Sequence, residues 1–240
     1  MTSTIDPKEV LKFSSLSEKW WDEDGEFKLL HDITPIRMSY FKEKITEHFN
    51  LDPKSLTPFE KISIIDVGCG GGLVSQPMAK LGASVTAIDA SLENIEAALN
   101  HNKNNVDYRH ATIEEISKNS KKYDCVLAIE IVEHVANLDQ FIKSCAQVVA
   151  PGGMIIISTL NQTIKSYLKA IIAAEYILRW VPSDTHDWQK FIKPSNLENH
   201  LRDNNMKITE LKGLNYNLLS RNWYLLDQID TNYIAICKQV

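Results

Sequence analysis

Between Lys61 and Thr159 the sequence alternates short β-branched runs with stretches of helical periodicity, and no other feature constrains the fold as much. The runs Ile62 to Val67, Ser84 to Asp89, Val106 to Tyr108, Asp124 to Ile129 and Met154 to Thr159 read as strands. Helical patterns such as Leu92 to Asn100 and Leu138 to Val149 lie between them. Strands joined through helices pair in parallel, so the expectation is an α/β, Rossmann-like fold: a mainly parallel, doubly wound sheet with helices on both faces. Gly152 and Gly153 supply a turn into the fifth strand. Further on, Met206 to Leu211 and Asn232 to Lys238 read as an antiparallel C-terminal strand pair. Upstream, Lys8 to Asn50 reads as helical and Leu51 to Pro58, with Pro53 and Pro58, as a linker. The expected organisation is an N-terminal helical lid over 1–55 and a main domain over 56–240, carrying an insertion at about 160–190.

Charge and cysteine usage remove several function classes. The 31 acidic residues outnumber the 26 basic ones, for a formal charge of -5, so no basic footprint for nucleic acid exists. Cys69, Cys125, Cys145 and Cys237 form no C-x-x-C pair, which argues against a disulfide scaffold and a thiolate zinc site and fits a reducing compartment. The first residues lack the basic-then-apolar pattern of a signal peptide. The longest apolar run, Ala170 to Val181, is broken by Glu175 and Arg179 and falls far short of the ~20 residues that span a bilayer. The expectation is a cytoplasmic protein, at most peripheral at the inner face of the membrane.

The run Asp66-Val67-Gly68-Cys69-Gly70-Gly71-Gly72 follows an apolar strand and leads into a helical pattern from Leu73 to Leu81. Glycines there let the backbone approach a ligand without Cβ clashes, and amides at a helix start donate to a carboxylate or phosphate. The dinucleotide fingerprint G-x-G-x-x-G fails, because Leu73 stands where its third glycine belongs. Asp89, at the end of the second strand and 21 residues after Gly68, is placed to accept both hydrogen bonds of a ribose diol. Its bland alternative is a cap on the next helix. Together the loop and the acid resemble the first motif and ribose acid of class I S-adenosylmethionine-dependent methyltransferases.

Three further segments narrow the resemblance. Leu30 to Arg37 (LHDITPIR), Ser158 to Asn161 (STLN) and Thr185 to Ile192 (THDWQKFI) are similar to the ubiquinone-biosynthesis O-methyltransferase family. The resemblance implies cofactor contacts from Arg37, Gly68, Asp89 and Ile129. Arg37 then pairs with the methionine carboxylate through a charge-assisted fork, where an isolated reading prefers a surface ion pair, and Ile129 packs near the adenosine. It implies O-methylation of polyprenylated catechol or quinol intermediates: 3-demethylubiquinol to ubiquinol, and 2-polyprenyl-6-hydroxyphenol to 2-methoxy-6-polyprenylphenol. Other ubiquinone-biosynthesis proteins are the expected company.

Glu130, Glu133 and His134 follow the fourth strand, and on a helical turn their i, i+3, i+4 spacing shares one face. Two carboxylates and an imidazole suit a hard or borderline divalent ion such as magnesium, and the resemblance implies the same role. The competing reading is a solvated helix start, where acids are favoured by the dipole. Without a metal, His134 is the expected general base, oriented by a neighbouring carboxylate, with Glu130 second.

Ile164, Tyr167, Leu168, Ile171 and Ile172 share a helical face, and Tyr176, Ile177, Leu178 and Trp180 extend the apolar surface. Such a stripe is usually core. Here the excess, flanked by Lys165 and Lys169, suits a polyprenyl tail or a membrane surface over about 163–181, with burial in a dimer as the rival. His186, Asp187 and Trp188 are expected on the acceptor side, and Trp20 and Trp21 in the lid. Two rivals to the main reading stand: a methyltransferase for another small acceptor, and a cofactor-binding partner that turns nothing over.

Overall fold

The structure is a computed structural model and describes residues 3–166, 188–217, 220 and 222–240. Its frame is one eight-stranded sheet in the order β3-β2-β1-β4-β5-β8-β6-β7. The strands are β1 (Ser63–Val67), β2 (Ser84–Asp89), β3 (Asp107–His110), β4 (Tyr123–Ile129), β5 (Val149–Leu160), β6 (Met206–Asn217), β7 (Asn222–Leu226) and β8 (Asn232–Gln239). The first five pair in parallel, and β8 turns antiparallel against both β5 and β6. The C-terminal pair read from the sequence is therefore present, and β7 adds a further antiparallel strand outside β6. Its Asn-Trp-Tyr-Leu-Leu run is short and two-sided in character, which hides it from a periodicity reading.

The apolar runs are continuous because the sheet is covered on both faces. Alternate residues point opposite ways. On one side Ile64, Leu127, Ile156 and Ile236 meet α2 (Lys28–His48), α3 (Ser75–Lys80) and α4 (Leu92–Asn100), through Phe41, Ile45, Met78 and Ile95. On the other, Ile65, Val126, Ile155 and Tyr233 meet α5 (Ile113–Ser117), α6 (Leu138–Val148) and α7 (Pro194–Arg202), through Ile113, Phe141, Ile142 and Leu197. Phe41 and Ile45 are fully buried, so α2 is one of the layer helices. The segment that precedes it, with α1 (Pro7–Ser14) and a 3₁₀ turn at Ser17–Lys19, packs on α4 and reaches the loops after β1 and β4.

Local signals explain the helix starts. Ser91 and Asn137 cap α4 and α6 by accepting from the amides of Asn94 and Gln140, and Thr112 with Glu115 closes a capping box on α5. The Gly152–Gly153 turn is realised inside β5, where the pairing to β4 shifts register and Gly152 takes φ +77.

Strand order reverses between β1 and β4, and in a doubly wound sheet ligands bind beyond the carboxyl ends of the strands at that point. The glycine loop leaves β1, Asp89 ends β2 and Glu130 follows β4. Every site residue expected after a strand is thus delivered to one end of the sheet. Of the insertion, residues 167–187 lie outside the described residues, and with them most of the apolar stripe, His186 and Asp187.

Candidate active site

The glycine loop is held open by hydrogen bonds to the next strand. Gly68 and Cys69 amides both donate to the Ile88 carbonyl, at 2.8 and 3.0 Å, and Gly70 donates to Asp89 Oδ2 at 2.9 Å. Gly68, Gly70 and Gly72 have φ of 72, 52 and 88°, the left-handed region that glycine alone enters freely. Beneath the loop, Asp66 is buried and accepts from Ser75 Oγ at 2.5 Å.

Burial pushes the Asp66 carboxyl up to about 6, against the Ser75 hydrogen bond and with help from Asp89. A carboxyl whose pKa is higher in the folded than in the unfolded chain favours folding below its unfolded value and loses that contribution as pH rises through its folded one. Stability is therefore expected to fall between about pH 4 and pH 7 by on the order of 3 kcal/mol from this group. Urea unfolding of Asp66→Asn at both ends of that window is expected to show a flatter profile than the parent chain.

Asp89 Oδ1 accepts from the Ser91 amide at 2.8 Å and from Asn94 Nδ2 at 3.3 Å. Burial nonetheless raises its pKa, which the three donors only partly offset. A carboxylate has about four acceptor sites, so the three donors leave one, and Asp89 takes both hydrogen bonds of a diol only by giving up the long Asn94 contact. The capping alternative holds as well: the Ser91 contact is part of the turn into α4. The tryptophans expected in the lid also lie beside the loop. Trp20 donates to Asn94 Oδ1 at 2.9 Å and stacks on Phe27, while Trp21 donates to the Gly71 carbonyl at 3.0 Å and stacks on His101. The two indoles thus lie directly against the glycine loop.

Past β4, the expected single helical turn is replaced by something tighter. Ile129 ends the strand buried, Glu130 sits at φ +53, and only Val132–His134 winds as a 3₁₀ turn. Glu130 donates its amide to the Ser158 carbonyl, and its carboxylate takes Arg37 Nη2 and Ser158 Oγ. Arg37 is buried at the centre of α2, so its partner is internal and the surface ion pair is ruled out; its Nε has no partner among the described residues. Glu133 is buried, with Oε2 on Thr159 Oγ1 at 2.9 Å and no partner for Oε1 among the described residues. Burial, then the Glu130 charge, raise its pKa.

His134 turns elsewhere. Its Nδ1 lies 3.1 Å from Glu9 Oε2, and Phe13 meets the ring edge-on at 5.0 Å. Burial works to lower the imidazole pKa, but Glu9, Glu133 and Glu130 outweigh it and the net shift is upward. The one-face geometry inferred for the three residues is therefore not adopted. Glu130 is bound to a guanidinium, and among the described residues no three His, Cys, Asp or Glu side chains gather as a metal-ligand set. As placed, these groups do not fit magnesium, and no chemical step is derived through one. Trp188, expected on the acceptor side, donates to the Thr163 carbonyl at 3.0 Å.

A glycine loop after β1, an acid ending β2 and a polar cluster after β4, all at the switch point, define the class of nucleoside-cofactor methyltransferases. Residues 39–211 match the family model described as methyltransferase domain. The fold is also that of magnesium protoporphyrin IX methyltransferase from Synechocystis PCC 6803 with bound SAH, at TM-score 0.63 and 16% identity, covering 97% of this chain and 99% of that one. The ubiquinone biosynthesis O-methyltransferase of Pelagibacter ubique is 47% identical over 236 residues, 97% of this chain and 98% of the relative. That of Rickettsia akari is 50% identical over 234 residues, 96% of this chain and 90% of the relative. The chain belongs to the ubiquinone biosynthesis O-methyltransferase family.

Proposed function

We propose that this enzyme transfers the methyl group of S-adenosylmethionine to a phenolic hydroxyl of a polyprenylated catechol or quinol, at the two steps of ubiquinone synthesis named above. The observation that carries the reading is the convergence of the glycine loop, Asp89 and His134 on one end of the sheet, in a chain whose relatives carry that name. Gly68, Asp89, Arg37 and Ile129 serve the cofactor in this reading. Asp89 accepts from the ribose diol, and the loop admits the methionine part without Cβ interference. Arg37 reaches a carboxylate only by sharing or leaving Glu130, so its role includes holding the loop after β4.

The sulfonium makes its methyl electrophilic, and what remains is to align an oxygen in line and remove its proton. A phenol with a pKa near ~10 is ionised in only about one molecule per thousand at pH 7, a deficit of roughly 4 kcal/mol. His134 meets that need as general base: the phenolic oxygen forms its bond to the methyl carbon, the carbon–sulfur bond breaks to leave S-adenosylhomocysteine, and the proton passes to the imidazole. Glu130, tied to Arg37, is the second candidate. His134→Ala is expected to lower kcat about 10²- to 10⁴-fold in methyl transfer from labelled cofactor to a short-chain demethylubiquinol. Unchanged kcat removes His134 from the chemistry.

Tail recognition rests on the sequence stripe within 163–181. Among the described residues no helix is long and apolar enough to cross a membrane. Shallow contact of that stripe with a lipid surface belongs to this reading, and liposome flotation decides it.

A further inference from the structure

The base needs an orienting group, and the candidate carboxylates after β4 do not provide it. Glu130 is engaged by Arg37 and Ser158, and Glu133 by Thr159. The acid that meets the imidazole comes from α1, 125 residues away in sequence. Each oxygen of Glu9 has its own nitrogen partner: Oε2 faces His134 Nδ1 at 3.1 Å, and Oε1 takes Lys190 Nζ at 2.8 Å. Lys190 also binds Asp6 at 3.1 Å. The His134 and Lys190 contacts fix the carboxylate plane, and Phe13, one turn further along α1, fixes the ring from its edge.

We propose that Glu9 is a positioning residue for the reaction: it holds His134 through Nδ1 and so leaves Nε2 as the nitrogen that receives the acceptor's proton. The inference rests on the reading of His134 as base. Its logic is a donor–acceptor count. An ionised carboxylate only accepts, so the imidazole nitrogen facing it carries the hydrogen, and in the neutral ring the lone pair then resides on the other nitrogen. The His134 hydrogen bond, and after it Lys190, hold the Glu9 carboxyl down at about 2 against the pull of burial, so the acid is ionised wherever the enzyme works.

α1 does not depend on Glu9 for its seat. Before it, the Ala136 amide donates to the Thr4 carbonyl at 2.8 Å and the Thr4 amide to Glu114 at 2.9 Å; at its end Ser14 Oγ donates to Ser91 Oγ at 2.8 Å. The neutral isostere at position 9 can therefore be tested in a docked helix. Glutamine can either accept from Nδ1 or donate to it, so it releases the constraint on the tautomer without vacating the space.

The experiment compares the full chain with Glu9→Gln, Asp6→Asn and His134→Ala, reading kcat, KM and the ring nitrogens of His134 in two-bond ¹H–¹⁵N spectra, assigned by the loss of signal in His134→Ala. For Glu9→Gln the expected result is a kcat reduced at least about tenfold, with both KM values within about threefold, and an Nε2–H tautomer appearing beside the parent's Nδ1–H form. Asp6→Asn loosens the same docking but keeps a capping oxygen, and is expected to hold kcat within about threefold. Parent-like kcat and tautomer in Glu9→Gln, with His134→Ala inactive, overturn the positioning role alone. An equal kcat loss in Asp6→Asn overturns it too, by making the effect one of docking. An active His134→Ala overturns the base reading on which the inference stands.

Discussion

Asp89→Ala is expected to weaken S-adenosylhomocysteine binding at least about 100-fold, because the two charge-assisted hydrogen bonds proposed to the ribose would be lost at roughly 1.5–3 kcal/mol each. The damage extends past the ligand. Gly70, Ser91 and Asn94 all donate to this carboxylate, and Asn94 in turn receives Trp20. An alanine leaves the Gly70 amide without its acceptor at the point where the loop is most tightly turned. Asp89→Asn keeps one oxygen and is expected to fall between the two. Titration calorimetry with S-adenosylhomocysteine checks the series, and an affinity within about threefold of the parent in Asp89→Ala removes this residue from the cofactor site.

Gly72→Val is expected to cost about 3–5 kcal/mol of stability, the sum of a β-branched residue at positive φ, overpacking and a disturbed buried hydrogen bond. Gly72 sits at φ +88, and a Cβ there falls 2.1 Å from the Tyr108 hydroxyl. That hydroxyl receives Gln76 Nε2 at 3.0 Å, and Gln76 also donates to Asn102 at 3.1 Å, so the intrusion spreads into the wall behind the loop. Gly152 is the internal control. It has φ +77 with nothing within 4 Å of its would-be Cβ, so Gly152→Ala bears backbone strain alone and is expected to cost about 1 kcal/mol. Urea midpoints of the two variants separate clash from strain; a parent-like midpoint for Gly72→Val contradicts the packing described.

The sheet's parallel half was legible because two-sided burial writes itself as unbroken β-branched runs, and Ser84–Asp89 and Leu92–Asn100 emerge with the bounds read from the sequence. α7 was not foreseen, since its polar content hides Leu197 and Leu201, the two residues that anchor it. The glycine loop and its tie to Asp89 were legible because a turn in the left-handed region calls for glycine and its acceptor ends the neighbouring strand. The cluster after β4 was legible as a list and not as an arrangement: spacing assumes a helix, whereas Glu130 takes φ +53 and sends its side chain to Arg37. Glu9 left no signal, because its relation to His134 exists only once the N-terminal segment has packed beside the turn after β4.

The placement of β8 between β5 and β6 also bears on the order of assembly. β6 also rests on α7 and β7 on α2, but β8 fills the gap between β5 and β6, and its residues Asn232 to Lys238 pair with Leu160 to Met154 of β5 after a long excursion of the chain. Closing that excursion is an entropic toll met before any contact rewards it, so this flank zips late in refolding. A frayed β8 bares two adhesive borders at once, those of β5 and β6, and intermolecular stickiness is expected to concentrate there.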